Sequence, residues 1–362
     1  MITHLKNNLC PAAWTALYID PTGRVDNCCI SNNHLGNINE TKIVDIINGD
    51  KAIAIRQQMS DDDLVPGCSN CHNREHTWQQ KFVDTYGTDF DAASHFNLKY
   101  LDLRWNNTCN FACIYCSPTF SSLWAEELGQ INKIQDTASI KHYVLDNVNQ
   151  INELYLAGGE PLLLKDNQDV LAKLLDVNPN AKIFVNTNLS RLDTAVAKLL
   201  FQFNNVQWLV SGEDTAERYE YIRWPGKWLT FYNNIVTLVN RDINQVSFNL
   251  VMMNINALTI WDYVDLLIHL GCEQHSITVN LYNFGNPAGP YSPRRLTSNQ
   301  KQEVLDRINQ KNYTVLGIED IRNALALDKK YDLNYTLDSL QKLDNSRSTD
   351  SSKIFTHFYK GL

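Results

Sequence analysis

Alternation constrains this chain more than anything else in it. From about Leu98 to Asn283, short β-rich segments take turns with longer segments of helical period. Strands are read at Leu98 to Trp105, Glu153 to Ala157, Lys182 to Asn188, Val206 to Ser211, Val246 to Met253 and Ser276 to Tyr282. Between them come helices at Ser121 to Gln130, Asn167 to Asp176, Leu192 to Phe201, Trp228 to Arg241 and Ile260 to Leu270. Repeats of this kind favour parallel strands with right-handed crossovers, because a helix between two strands returns the chain to the same end of the sheet. The expected class is therefore α/β, either doubly wound or curled into a partial barrel.

The flanks read differently. Before the repeats there are strands around Trp14 to Asp20, a turn at Pro21-Thr22-Gly23, a helix near Thr41 to Gln58, and five cysteines. After them comes a Gly/Pro-rich loop from Gly285 to Pro290 and then a mainly helical tail, expected to cover one opening of a barrel. The expected division is 1–90, 91–285 and 286–362.

Charge and hydrophobicity exclude several classes. The 362 residues carry 32 Lys plus Arg against 40 Asp plus Glu, a net charge of −8, which argues against a broad nucleic-acid surface. With 44% hydrophobic and 20% charged residues the chain can fill a sizeable core and does not read as disordered. No segment approaches the roughly 18 apolar residues of a membrane helix, and Met1 to Cys10 lacks a signal-peptide pattern, so the expected compartment is the cytoplasm.

There are nine cysteines: Cys10, Cys28, Cys29, Cys68, Cys71, Cys109, Cys113, Cys116 and Cys272. An odd number at short spacings, in a chain read as cytoplasmic, points to metal ligation or catalysis before disulfides. Cys109, Cys113 and Cys116 follow the first strand of the repeat, where an α/β barrel places its chemistry. Three thiolates on one loop can hold three irons of a [4Fe-4S] cube and leave the fourth open. A closed zinc site needs a fourth ligand, and this loop offers no histidine. Cys10, Cys28, Cys68 and Cys71 suit a closed four-thiolate site, for zinc or for a fully ligated cube.

Cys109-x3-Cys113-x2-Cys116 with Tyr115 before the third cysteine resembles the signature of the radical S-adenosylmethionine (SAM) superfamily. Ala157-Gly158-Gly159-Glu160-Pro161, closing the next strand, is similar to its Gly-Gly-Glu-Pro motif. The resemblance implies a partial (β/α)6 TIM-like barrel, a SAM-binding [4Fe-4S] cluster on Cys109, Cys113 and Cys116, and reductive cleavage of SAM to a 5′-deoxyadenosyl radical that abstracts hydrogen from a substrate. It further implies that Gly158, Gly159 and Glu160 receive the methionyl amine and that Tyr115 contacts the adenine. Thr187, Asn188 and Ser211 become ribose or carboxylate contacts, and Arg223 a partner for the SAM carboxylate. The cofactors implied are SAM and the cluster, with flavodoxin or ferredoxin as electron donor.

The N-terminal set resembles the auxiliary-cluster modules called SPASM and twitch domains. Cys10-Pro11-x2-Trp14, Ile19-Asp20-x2-Gly23, Cys28-Cys29 and Leu35-Gly36-Asn37-Ile38 carry the likeness, as do Glu220-Tyr221-Ile222-Arg223 and the Leu337 to Phe358 segment for related proteins. Here the module precedes the barrel, and the further cysteines of a complete SPASM domain are missing. One auxiliary [4Fe-4S] cluster is thus expected, on Cys10, Cys28, Cys68 and Cys71, with Cys29 the alternative to Cys28. It would accept an electron from the substrate, ligate the substrate or relay electrons.

Other residues are read on their own terms. Glu213 and Asp214 would face the barrel mouth and bind a cationic or hydroxylated substrate; Asn254, Asn256, Tyr282 and Asn283 share that rim. The run from Arg223 to Trp228 reads as a packed loop, and His72, His76, His95, His269 and His275 as structural or surface groups. A peptide or protein substrate is weighed slightly above a small molecule such as a sugar, cyclitol or nucleoside. The rival from another class is a non-catalytic zinc-binding interaction protein.

Overall fold

The computed structural model describes residues 8–71, 78–130, 137–282, 289–327 and 332–362. The chain divides into two compact units, one of Met1–Asn110, Pro118–Asn186 and Asp193–Val206, the other of Phe111–Ser117, Thr187–Leu192 and Gln207–Leu362.

In the first unit, β1 (Ala16–Ile19) pairs antiparallel with β2 (Arg24–Asp26), which pairs antiparallel with β3 (Gly36–Asn37). On its other side β1 runs parallel to β4 (Tyr100–Leu103), followed in parallel by β5 (Glu153–Leu156) and β6 (Lys182–Thr187). The cysteine-rich N-terminal segment thus continues the sheet of the repeats. Register aligns Leu17, Leu101, Leu154 and Ile183 on one face, with Ile19, Leu103, Leu156 and Val185 beside them, all buried. Each such side chain contributes ~1.5–3 kcal/mol on burial. The other face carries Tyr18, Asp102, Tyr155 and Phe184.

The second unit holds β7 (Val206–Ser211, from Gln207 onward), β8 (Val246–Met252) and β9 (Ile277–Leu281), all parallel. Strict alternation buries Trp208, Val210, Phe248, Leu250, Ile277 and Val279, with Phe248 meeting Tyr263 of the helix Ile260–His269. Gln207, Ser211, Ser247, Asn249 and Thr278 face the other way, half-buried. The tail is mainly helical, in Ser298–Lys311, Ile318–Ala326, Asn334–Arg347, Ser351–Ile354 and Thr356–Lys360.

The strands lie where the period-two pattern placed them, and the class is α/β with a mainly parallel sheet. Two expectations need correction. Trp14 lies in a helical turn, Ala12–Thr15, because Pro11 sets a helical φ and its carbonyl accepts from Thr15 Oγ1 at 2.9 Å. The helix read at Thr41 to Gln58 is two, Ile43–Ile47 and Asp50–Ser60, broken at Asn48-Gly49 where glycine's poor helix propensity wins. Helices Thr137–Asp146 and Ala216–Ile222 were not evident from pattern. Residues 283–288 of the Gly/Pro-rich loop, with Asn283, lie outside the described residues, as do His72 and His76. Among the described residues no helix is long and apolar enough to cross a membrane.

Candidate functional site

Cys10, Cys28, Cys68 and Cys71 line one pocket of the first unit, together with Asn8, Asn27, Met59, Trp78 and Phe82. Leu9, Trp14, Met59 and Val65 pack as a core cluster against Cys10 and Cys68, which fixes two of the four corners. None of the nine cysteines is in a disulfide. Burial pushes the Cys10 thiol up to about 12 and raises Cys28 and Cys68 as well. Adjacent Cys29 does not line this pocket; its thiol, raised to about 11 by burial, is coupled to Asp102 and Arg104. Both cysteines lie in the turn that follows β2, and the turn carries only Cys28 to the pocket.

The donor set fits an iron-sulfur cube. Asn33 Nδ2 donates to Cys68 Sγ at 3.3 Å, and among the described residues the buried Asn27 Nδ2 beside it has no hydrogen-bond partner. Amide donors of this kind are what cluster sulfurs accept from. Among the described residues no three His, Cys, Asp or Glu side chains converge on a point that grips a single metal ion. Zinc, at ~2.3 Å from each sulfur, requires that convergence, whereas a cube gives each thiolate its own iron.

The Gly-Gly-Glu-Pro segment, also in the first unit, packs on the stem of the 109–116 loop. Gly158 has φ +114°, and a Cβ on Gly159 would lie 2.0 Å from the Thr108 carbonyl oxygen, so a side chain at 159 is excluded. The Glu160 N–H donates to that same oxygen at 2.8 Å, and its buried carboxylate accepts from Leu162 N–H at 3.1 Å. Ser122 Oγ accepts from Cys109 N–H at 3.1 Å.

In the second unit, Ala112 N–H donates to the Trp224 carbonyl at 2.7 Å and Ile114 N–H to that of Ile222 at 2.9 Å, so the loop bearing Cys113 and Cys116 runs along 222–224. Arg347 Nη2 fixes Ala112 O at 3.0 Å. Behind Cys113, Tyr115, Glu213 and Arg223 form a closed network. Glu213 accepts from Tyr115 Oη at 2.8 Å and from Arg223 Nε and Nη2 at 2.6 Å each, and Arg223 Nη2 also bonds Tyr115 Oη. Arg223 Nη1 lies 3.9 Å from Cys113 Sγ. Burial works against the Arg223 charge, but the Glu213 carboxylate and Cys113 overcome it and hold the guanidinium firmly cationic. Burial keeps Tyr115 a neutral phenol.

The fork of Arg223, expected at the SAM carboxylate, therefore closes on Glu213 in this structure, and Tyr115 joins the same network. Asp214 is likewise internal: it accepts from Arg218 Nε at 2.8 Å and from Thr259 Oγ1 at 2.5 Å. Glu213 and Asp214 are both 0% exposed, unlike solvated residues at a barrel mouth. Asn256 Nδ2 holds the Glu213 carbonyl, and Asn254 Nδ2 bonds Thr336. Thr187 and Asn188 are buried at the end of β6, where their side-chain oxygens accept from Leu189 and Ser190 N–H; Ser211 is half-buried at the end of β7. Tyr282 stands edge-on to Tyr291. His95, His269 and His275 are exposed. Asn27 and Asn33 were not singled out by sequence, which gives asparagine near cysteine no special mark.

Residues 103–277 match the family model described as the radical SAM superfamily, and residues 10–72 match that of an iron-sulfur cluster-binding domain, SPASM. The chain carries a radical SAM superfamily domain. It is an enzyme whose cofactors are SAM and a [4Fe-4S] cluster, with auxiliary iron-sulfur binding in the SPASM domain ahead of the radical SAM domain.

Among curated relatives, a GTP 3′,8-cyclase of Nautilia profundicola is 34% identical over 92 residues, 25% of this chain and 28% of that one. A GTP 3′,8-cyclase of Clostridium acetobutylicum is 25% identical over 237 residues, 64% of this chain and 69% of that one. A solved structure described as native anSMEcpe with bound AdoMet and Cp18Cys peptide aligns at TM-score 0.43 and 15% identity, over 65% of this chain and 67% of that one. The match to the Nautilia enzyme thus spans under a third of that protein's length.

Proposed function

We propose that this radical SAM enzyme abstracts a hydrogen atom from a peptide or protein substrate and oxidises it with the help of one auxiliary [4Fe-4S] cluster. When bound, the cofactors supply a 5′-deoxyadenosyl radical and, at the N-terminal cluster, a route for electrons. Cys109, Cys113 and Cys116 hold the SAM-binding cluster. Gly158, Gly159 and Glu160 receive the methionyl amine, the glycines by close backbone approach and Glu160 by its charge. Thr187, Asn188 and Ser211 contact the ribose or the carboxylate.

Tyr115, Glu213 and Arg223 act together: the neutral phenol and the paired guanidinium fix the 112–116 loop and hold the Arg223 fork beside Cys113. Cys10, Cys28, Cys68 and Cys71 hold the auxiliary cluster. The buried faces exclude water from the reacting carbon. A cytoplasmic setting and a flavodoxin or ferredoxin donor complete the reading.

The observation that carries the substrate class is the uncharged polar face of β7 to β9. On β7 to β9 that face offers Gln207, Ser211, Ser247, Asn249 and Thr278, donors and acceptors without charge. Such a lining suits peptide groups, whereas a nucleoside triphosphate calls for uncompensated Lys and Arg.

The relatives named GTP 3′,8-cyclase favour a second reading, a purine nucleotide substrate. Anaerobic incubation with SAM and dithionite, assayed for 5′-deoxyadenosine and by mass spectrometry, separates the two. Product above background with a peptide library and none with GTP is expected; conversion of GTP alone would replace the first reading with the second.

A further inference from the structure

Four thiols line the N-terminal pocket, and one of them differs from the rest in its surroundings. Asn33 Nδ2 donates to Cys68 Sγ at 3.3 Å and to Asn27 Oδ1 at 2.9 Å, so the Asn33 amide bridges the thiol and its neighbour. With Oδ1 engaged by Asn33 and by Ser31 Oγ at 3.2 Å, the Asn27 amide is oriented with its Nδ2 left over. That Nδ2 is buried, has no partner among the described residues and belongs to a residue lining the pocket, 3% exposed. A buried donor without an acceptor is destabilising unless something in the pocket accepts from it.

The arrangement is built into the backbone. A Cβ on Gly67 would lie 2.0 Å from Asn33 Oδ1, so glycine before Cys68 leaves room for the Asn33 amide. Asn32 N–H also donates to Gly67 O at 2.9 Å, tying the segment that carries Asn33 to the helical turn Pro66–Cys71 that carries Cys68. Asn70 lines the same pocket, yet its Nδ2 is engaged by the Ile30 carbonyl at 2.8 Å.

We infer that Asn27 and Asn33 are positioning residues for the auxiliary cluster, donating N–H···S bonds at its Cys68 corner and thereby raising its reduction potential. The inference rests on the reading of this pocket as a cluster site. A donor dipole aimed at sulfur stabilises the reduced cluster, which carries the extra electron, more than the oxidised one. Loss of either amide therefore moves the midpoint negative.

The test is an EPR-monitored redox titration of the reconstituted full-length enzyme, with the auxiliary wave identified as the one lost in Cys68→Ala. For Asn33→Ala and Asn27→Ala, with about eight irons retained, the reduced-to-oxidised ratio of that wave at fixed potential should fall about tenfold, a shift of ~59 mV for a one-electron couple. Asn70→Ala should leave it unmoved. Asn33 is only half-buried, so its variant reports even if Asn27→Ala does not fold. Unchanged midpoints in variants holding full iron overturn the inference alone. A Cys68→Ala protein that still holds about eight irons overturns the cluster reading, and the inference with it.

Discussion

The guanidinium of Arg223 closes on both carboxylate oxygens of Glu213 at 2.6 Å, with the side chains 4% and 0% exposed. Two charges taken that far from water are held in place by each other, and removing one strands its partner. Glu213→Gln should therefore cost about 3–5 kcal/mol of unfolding free energy in chemical denaturation. Replacing both by apolar residues of similar volume, Glu213→Leu with Arg223→Met, should recover most of that. A single-variant cost under about 1 kcal/mol would mean the pair is not buried in solution.

Cys113→Ala should abolish 5′-deoxyadenosine formation and halve the iron, from about eight to about four per chain. Cys71→Ala should halve the iron too but leave some SAM cleavage, uncoupled from substrate oxidation. Full cleavage by Cys113→Ala would refute the assignment of the three-cysteine loop.

Gly159→Ala puts a methyl group 2.0 Å from the Thr108 carbonyl oxygen, a backbone atom that cannot swing aside. The stem of the cysteine loop or the end of β5 must move, at ~1–3 kcal/mol or more. The expected result is a lower Tm together with weakened SAM binding by calorimetry. Unaltered Tm and SAM affinity would show that the segment adjusts freely.

Burial raises Asp214 to about 6 from 3.8, against the opposing pull of Arg218 and Thr259. The folded state then holds a proton that the unfolded state has released, so this group's contribution is fully present below about pH 3.8 and is lost as pH rises through about 6. The span corresponds to up to about 3 kcal/mol. In denaturant melts from pH 4 to about 8 the difference between wild type and Asp214→Asn should change in that direction and flatten above about pH 7. A difference independent of pH would show Asp214 ionised throughout.

Local pattern carried the fold a long way. The strand Val206–Ser211 and the helix starts at Trp228 and Ile260 lie where alternation and 3.6-residue period put them, because each is decided by which neighbouring side chains share a face. The short Ala12–Thr15 turn escaped because four residues give no period to read. The break at Gly49 escaped because one glycine is a weak local signal inside a run of helix formers.

The sequence by itself determined the α/β class, the three-cysteine loop and the N-terminal cysteine set with Cys28 or Cys29 as its second member, since all of these rest on residue type and short spacing. Only the tertiary structure decided that β1 joins β4 across some eighty residues of chain, that Cys28 and not Cys29 lines the thiol pocket, and that Tyr115, Glu213 and Arg223 form one network. Partners 98 and 108 residues from Tyr115 meet only when the core has packed. Which of two adjacent thiols turns inward depends on the path of the backbone through that packing. Spacing along the chain encodes neither, because long-range contacts are chosen by burial and by the pairing of charges that burial isolates from water.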